Sequence, residues 1–496
     1  MRRSLVLVVT ACVVWSFGVR AQNAPSTAEN VIQSIATAMG TAKLRSLQYT
    51  GTGSNNSTGQ AYQAGGPWPR YTVTKYTMSI DYSVPAMRQE LVRIDNVRPP
   101  LGGGAGGYNP MTFQGGIRPV PGDIIQNTTF DARQPNGAIA FWLTPHGFIK
   151  GAMANLATAK TQTLRGKRTV SFTGFGKFPI TATIDDRNII QKVEALVDVA
   201  YTGDTVVDGT YTDYRDLDGV RMPMHIVMRE GGFPTLELNV TEARPNSDEA
   251  VDVVKRVTSA APARPPAQAA ERAEPQPAKL AEGVWQLTPA AEGSVLVEFK
   301  DYLVMIEAPG GDANSMASIA TAQRLAPNKP IKYVINTHHH ADHAGGMRAY
   351  VAEGIPIVTH ESHRKYYEDV IFKNPHTLNP DRLARMPRAA VIETIKDKRV
   401  FTDGNQTLEI HLMRGQPHAE GLLMAYLPKA KLLVQADVFV IRTGAPPLPA
   451  PSPYTTNVVD NVARLKLDVE RVVHIHGGSS PYSDVLASVG RTTSTN

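Results

Sequence analysis

The stretch APARPPAQAAERAEPQPA, ending at Ala278, offers little that a hydrophobic core could use. Alanine, proline and charged residues follow one another there with neither a helical nor a strand period. The segment, taken over residues 259–279, therefore reads as an extended linker. A break of this kind obliges the chain on each side to bury its own apolar surface. At 496 residues the chain also exceeds what one ordinary core accommodates. Two folded units are expected, over 22–258 and 280–496.

Residues 1–21, MRRSLVLVVTACVVWSFGVRA, join an arginine pair to an apolar stretch and end on small residues. That pattern predicts a secretory signal cleaved before Gln22, and hence an exported, periplasmic or secreted, protein. An uncleaved membrane anchor and lipid attachment at Cys12 are the alternatives. The apolar stretch is short for a span, and Cys12 comes early with more apolar residues after it. Cys12 is the only cysteine, so the mature chain would have no disulfide and would rest on its cores or on a metal. Removing Arg2, Arg3 and Arg20 lowers the formal charge from +6 to +3. No basic run suggests a nucleic-acid groove, and the expected partner is a small molecule.

Before the linker, a helical pattern from Thr27 to Ala42 leads into strand-like segments separated by turn residues. RYTVTKYTMSIDYS, TVSFTGF, FPITATIDD, IIQKVEALVDV, GTYTDYRDL and TLELNVTEA are the clearest. Their spacing predicts a mostly antiparallel, twisted sheet or half-barrel with some helix. The segment TYTDYRDLDGVRMPMHI resembles exported β domains of the lipoprotein-carrier type. The glycine run from Leu101 to Gly107 reads as a flexible hairpin tip, because neither a strand-to-helix context nor a GK[ST] ending makes it a phosphate cradle.

After the linker the rhythm changes. VWQL, SVLVEF, YLVMIEA, KYVIN, PIVTH, LEIHLM, LLMAYL, LLVQADVFV and RVVHIH read as strands; NSMASIATAQRLA, HAGGMRAYVAEG and VVDNVARLKLDV read as helices. Strands and helices mixed this densely predict an α/β unit whose polar clusters fall at strand ends.

The richest cluster is NTHHHADHAGG, starting at Asn336. It stands where the strand KYVIN ends and a helix begins. Alternate residues of an extended segment share a face, so His338 and His340 point together and His339 points away. Asp342 and His343, in the turn, can face the same cleft. Four such groups crowded together are tolerable chiefly around a divalent cation. His418 in RGQPHAEG, Asp437 in LLVQADVF and His476 in VVHIHGG also stand at or near strand ends. A lone carboxylate in an apolar strand is costly without a cation or hydrogen bonds.

THHHADHAGG, PHAEG, an Asp closing an apolar strand, and HIHGG together resemble the metallo-β-lactamase-fold hydrolase superfamily, over roughly residues 280–490. The resemblance implies an αβ/βα four-layer sandwich with two sheets face to face, helices outside and metals along one edge. It implies His338, His340 and His418 on a first metal, Asp342, His343 and His476 on a second, and Asp437 bridging both. Two divalent ions are implied, zinc first, with iron or manganese as alternatives. His339 matches no ligand position, and His360, His363, His376, His411 and His474 match no role. One large group of zinc β-lactamases has a cysteine where this chain has Asp437. Ala419 stands where a threonine usually follows the ligand, which leaves the support of His418 unassigned.

With such a ligand set, two ions about 3.5–4 Å apart share a hydroxide that attacks a carbonyl or phosphorus. Asp342 and Asp437 are the candidate catalytic residues, holding the nucleophile, and Asp342 could relay a proton. The expectation is hydrolysis of a lactam, lactone or other ester-like small molecule. An iron-dependent oxidoreductase on the same fold and a non-catalytic metal-binding module are the competing readings. Arg442 and Tyr454, beside the Pro-rich stretch after Asp437, are candidate substrate contacts. The insertion FKNPHTLNPDRLARMPRA is expected to be a lid or a subunit contact.

Overall fold

The computed structural model describes residues 27–94, 101–103, 124–260, 277–287, 293–439 and 451–492. The expected leader with Cys12, residues 104–107 of the glycine run, linker residues 261–276 and Arg442 lie outside these. No helix among the described residues is long and apolar enough to cross a membrane.

Helix Ala28–Met39 starts at Thr27, whose hydroxyl accepts the Asn30 amide, and stops at Gly40 in the left-handed region. Val31, Ile32, Ile35 and Met39 recur at helical spacing and are buried. They pack with residues of one large antiparallel sheet, Tyr76, Phe172, Ile180 and Leu238 among them. That sheet has eleven strands. From one edge they are Ile124–Asp131, Ala86–Ile94, Arg70–Asp81, Ser46–Asn56 and Phe233–Pro245, then Val220–Glu230, Gly203–Leu217, Ile190–Val199, Phe178–Ile184, Lys167–Gly174 and Lys160–Leu164. Helices Pro135–Trp142 and Pro145–Ala154, which the sequence pattern did not announce, add Ile139, Phe141, Phe148 and Ile149 to the same core.

The C-terminal residues build two further sheets. One orders Pro277–Ala281, Val284–Leu287, Ser294–Glu298, Leu303–Ile306, Ile331–Ile335, Ile357–His360 and Ile392–Ile395, turning parallel from Leu303–Ile306 onward. The other orders Lys398–Thr402, Thr407–Leu412, Leu423–Leu427, Leu432–Gln435, Arg471–His474 and Ser479–Pro481. Alternation along each strand explains the layers. Val304 and Ile306 of the first sheet share a core with Leu423, Ala425, Leu432 and Val434 of the second. Leu303 and Met305 instead face helix residues Ile319, Met347 and Tyr350. Met424, Tyr426 and Leu433 face Val458, Val462 and Val485 on the opposite outside. Strands buried on both faces read as unbroken apolar runs, and the result is an αβ/βα sandwich of four layers.

Two local expectations change. HAGGMRAYVAEG is two short helices, Ala341–Ala344 and Met347–Ala352, parted at Gly345–Gly346. The strand in LLVQADVFV stops at Gln435, before Asp437. The insertion beginning at Phe372 docks on the eleven-stranded sheet. Asn374 donates to the Thr202 carbonyl (2.9 Å), Asn379 to Asp198 (3.1 Å), and the Thr377 amide to Asp204 (2.9 Å).

Gly345 allows the histidine-rich turn to pack against the loop that follows Leu303–Ile306. A Cβ there would stand 2.0 Å from the Gly310 carbonyl oxygen. Gly345→Ala should therefore cost about 1–3 kcal/mol, read as a lower unfolding midpoint in urea. An unchanged midpoint would mean that the Gly310 loop yields freely.

Candidate metal centre

Strand Ile331–Ile335 delivers the motif. Beyond its end Asn336 still bonds to Val358, and the chain runs extended to His340, which caps the short helix Ala341–Ala344. His338 and His340 lie on one side, with ring centroids 4.5 Å apart. His418 closes this group, 4.9 Å from His338 and 4.6 Å from His340 by ring centroids. Its Nε2 comes within 3.1 Å of His338 Nε2. A second group forms beside it, where His476 Nε2 stands 3.2 Å from His343 Nε2 and 3.6 Å from Asp342 Oδ2.

Asp437 joins the two groups. Its Oδ1 lies 3.0 Å from His343 Nε2 and 2.5 Å from His476 Nε2. Its Oδ2 lies 3.2 Å from His418 Nε2 and 3.7 Å from His338 Nε2. All seven expected ligands are thus brought together as two four-membered groups that share Asp437. Asp437 adopts a left-handed backbone (φ 64°), a conformation that costs a non-glycine residue energy and persists only where the surroundings enforce it. Gln435 does so by accepting the amides of Val438 (3.1 Å) and Phe439 (3.3 Å), while Thr455 bonds the Val438 carbonyl (2.6 Å).

Two buried polar atoms test whether a cation fits. His340 Nδ1 and Asp437 Oδ2 make no hydrogen bond although both are sealed from solvent. Such orphans are expensive unless something else satisfies them. Asp437 Oδ2 faces the Nε2 atoms of His338 and His418 in the group that also holds His340, and a divalent ion there would meet both needs. Electrostatics agree. Burial and mutual proximity push His338 and His340 well below the ordinary imidazole range, so both stay neutral with a lone pair to give. Burial also opposes charge on His343 and His476, but the carboxylates around them outweigh it. His343 is raised well above its usual value and His476 to about 9. Burial would raise Asp437, yet the charges of His343 and His476 hold it well below the usual carboxylate range. The second group is a strongly negative pocket that calls for positive charge.

Glu307 is a functional residue that the motif reading missed. Its Oε2 accepts from His343 Nδ1 (3.0 Å) and its Oε1 from the Thr337 amide (2.8 Å), so it orients His343 and pins the start of the motif. The signal was present, since Glu307 is an acid closing the apolar run YLVMIEA. Gln60, Ala61 and Gly103 also reach the centre, and no local pattern marks them.

The remaining histidines have other partners. His339 bonds the same Ala61 carbonyl as His340 (2.9 Å) and belongs to neither group. His363 lies between Thr359 and the Glu420 carbonyl, and His474 between Gln435 and Ser480. Burial lowers each of these two to about 4. His360 bonds Ser362, His411 bonds Glu409, and His376 faces Asp198 and Asp381. Tyr454 is buried edge-on to His418 rather than open to a ligand.

Ligand nitrogens must be free of protons to bind a metal. His476 keeps its proton up to about pH 9, so an ion entering the second group displaces it. Divalent-metal titration at about pH 7.5 should release protons, and the release should fade as pH rises through the His476 value. Calorimetry in buffers of differing ionisation enthalpy measures this; heats independent of buffer would count against the arrangement.

Residues 289–476 match the family model described as the metallo-beta-lactamase superfamily. No curated protein matches the chain. Among solved structures, a metallo-beta-lactamase from Pontibacter korlensis is 21% identical, covering 42% of this chain and 95% of its own at a TM-score of 0.31. The DIM-1 metallo-beta-lactamase is 16% identical, covering 45% and 99% at 0.35. The rubredoxin oxygen:oxidoreductase of the anaerobe Desulfovibrio gigas is 16% identical, covering 41% and 57% at 0.31. The matched segment contains every side chain of both clusters, and the C-terminal domain of this chain belongs to the metallo-beta-lactamase superfamily.

Proposed function

We propose that the chain is a dinuclear, metal-dependent hydrolase acting on a lactam, lactone or other ester-like small molecule. The observation that carries this reading is Asp437, whose two oxygens serve two converging groups of imidazoles. Imidazole and carboxylate donors without a thiolate suit zinc, and also iron or manganese; zinc is our assignment. When bound, two such ions lower the pKa of water towards neutrality and polarise a substrate oxygen.

The side chains supply the rest. His338, His340, His343, His418 and Asp437 are sealed, which keeps bulk water from the interior of the centre. His476 keeps 18% and Asp342 7% of its side chain exposed, so substrate enters on their side. Asp342 directs Oδ2 towards His343 and His476 and stands at this entrance, where it accepts a proton from the attacking water. No serine, cysteine or lysine nucleophile is required. The leader-like residues 1–21 support export, and N-terminal sequencing of the mature protein should begin at Gln22.

Zinc-loaded protein should hydrolyse at least one member of a chromogenic panel of lactams, lactones, thioesters and phosphodiesters, the first two classes best. Asp437→Ala should lose one ion and lower turnover by more than about 100-fold. Full turnover with two ions retained in that variant would defeat the assignment. Purification with iron, and oxygen uptake in place of hydrolysis, would overturn it in favour of redox chemistry.

A further inference from the structure

The eleven-stranded N-terminal region reaches into the metal centre at three points. Ala61 presents its carbonyl oxygen to His340 Nε2 at 2.8 Å. Gly103 presents its own to His418 Nδ1 at 2.6 Å. Gln60, fully buried, donates from Nε2 to Asp342 Oδ1 at 3.1 Å. We propose that the Gln60–Ala61 and Gly102–Gly103 segments are positioning elements of the metal centre, without which His340, His418 and Asp342 are not held for cation binding. This rests on the two clusters being the metal centre.

A carbonyl oxygen can only accept, so the imidazole nitrogen facing it must carry the proton. Ala61 therefore places the proton of His340 on Nε2 and leaves the lone pair on Nδ1, the buried atom that makes no hydrogen bond. Gly103 likewise places the proton of His418 on Nδ1, so that the Nε2 lone pair faces His338 and Asp437. Gln60 holds one oxygen of Asp342 and turns the other to His343 and His476. Outer partners of this kind fix tautomer and ring orientation in metal sites. The C-terminal domain provides its own for His343, through Glu307, and for His338, through Thr337. For His340 and His418 the partner comes from the other region.

The two segments are locked together and onto the domain. The Gly103 amide bonds the Gln60 carbonyl, the Gly102 amide bonds that of Pro417, and the Glu420 amide bonds that of Tyr62. Gly102 and Gly103 are both left-handed, at φ 70° and 62°. A Cβ on Gly102 would stand 2.7 Å from the Gln60 oxygen and 2.8 Å from the Tyr62 nitrogen. Only glycine fits there, and any larger residue must push the Gln60–Tyr62 segment off the histidines.

Two full-length variants test this, Gly102→Ala and Gln60→Met. Zinc affinity is read by competition with a chromogenic chelator, ligand geometry by the visible spectrum of the cobalt-substituted protein, and intactness by melting of the metal-free protein. We expect Gly102→Ala to weaken zinc binding by about 10–100-fold with an altered cobalt spectrum, and Gln60→Met to weaken binding at the group of Asp342, His343 and His476. Both should melt within a few degrees of wild type when metal-free. Affinities and spectra equal to wild type in both variants would overturn the proposal. So would losses that merely parallel a collapse in metal-free melting. Wild-type protein that binds no divalent ion would sink the metal centre itself, whereas two ions bound without hydrolysis would sink only the proposed reaction.

Discussion

The centre depends on one buried carboxylate. Asp437 is sealed from solvent among four histidines, and its charge is tolerable because His343 and His476, raised towards the charged form, face one oxygen while the other faces nitrogens that a cation would share. That requirement reaches outward through the backbone. The left-handed turn at Asp437 is held by Gln435 and Thr455, and Gln435 in turn bonds His474 in the neighbouring strand. The end of the second sheet is thus built around presenting this side chain, and the strained turn is a cost that surrounding hydrogen bonds offset.

The two clusters solve the same electrostatic problem differently. Around His338, His340 and His418, burial dominates and the rings are kept neutral, suited to donating lone pairs. Around His343 and His476, the carboxylates of Asp342, Asp437 and Glu307 outweigh burial and favour a cation. The shared Asp437 makes the pair a single unit. Exposure is also asymmetric. The first cluster lies beneath the Gln60–Ala61 and Gly102–Gly103 segments, while His476 and Asp342 keep contact with solvent.

The position after His418 illustrates how a local departure is met from elsewhere. The Ala419 side chain has no polar atom with which to support His418, and the Gly103 carbonyl provides the hydrogen bond. The glycine run read as a flexible hairpin tip is, at Gly102 and Gly103, a buried strap, and a Cβ on Gly102 would meet the Gln60 and Tyr62 backbone. The insertion at Phe372 has a comparable role. It fastens the same two regions to one another at Asp198, Thr202 and Asp204.

The sequence alone determined the periodic elements and the candidate ligands. Apolar runs such as YLVMIEA and LLMAYL read as buried strands, and HHHADH is tolerable chiefly around a cation. His338, His340, His418, Asp437 and His476 were legible because each is a polar residue at or near the end of such a run. Glu307 carried the same mark and was passed over. Helices Pro135–Trp142 and Pro145–Ala154 were less legible, because their apolar residues lack a clean stripe and their prolines read as turns. Only the tertiary structure decided that Gln60, Ala61 and Gly103 belong to the centre. They are separated from it by hundreds of residues, and two of them act through backbone carbonyls, which every residue possesses and no side-chain pattern records.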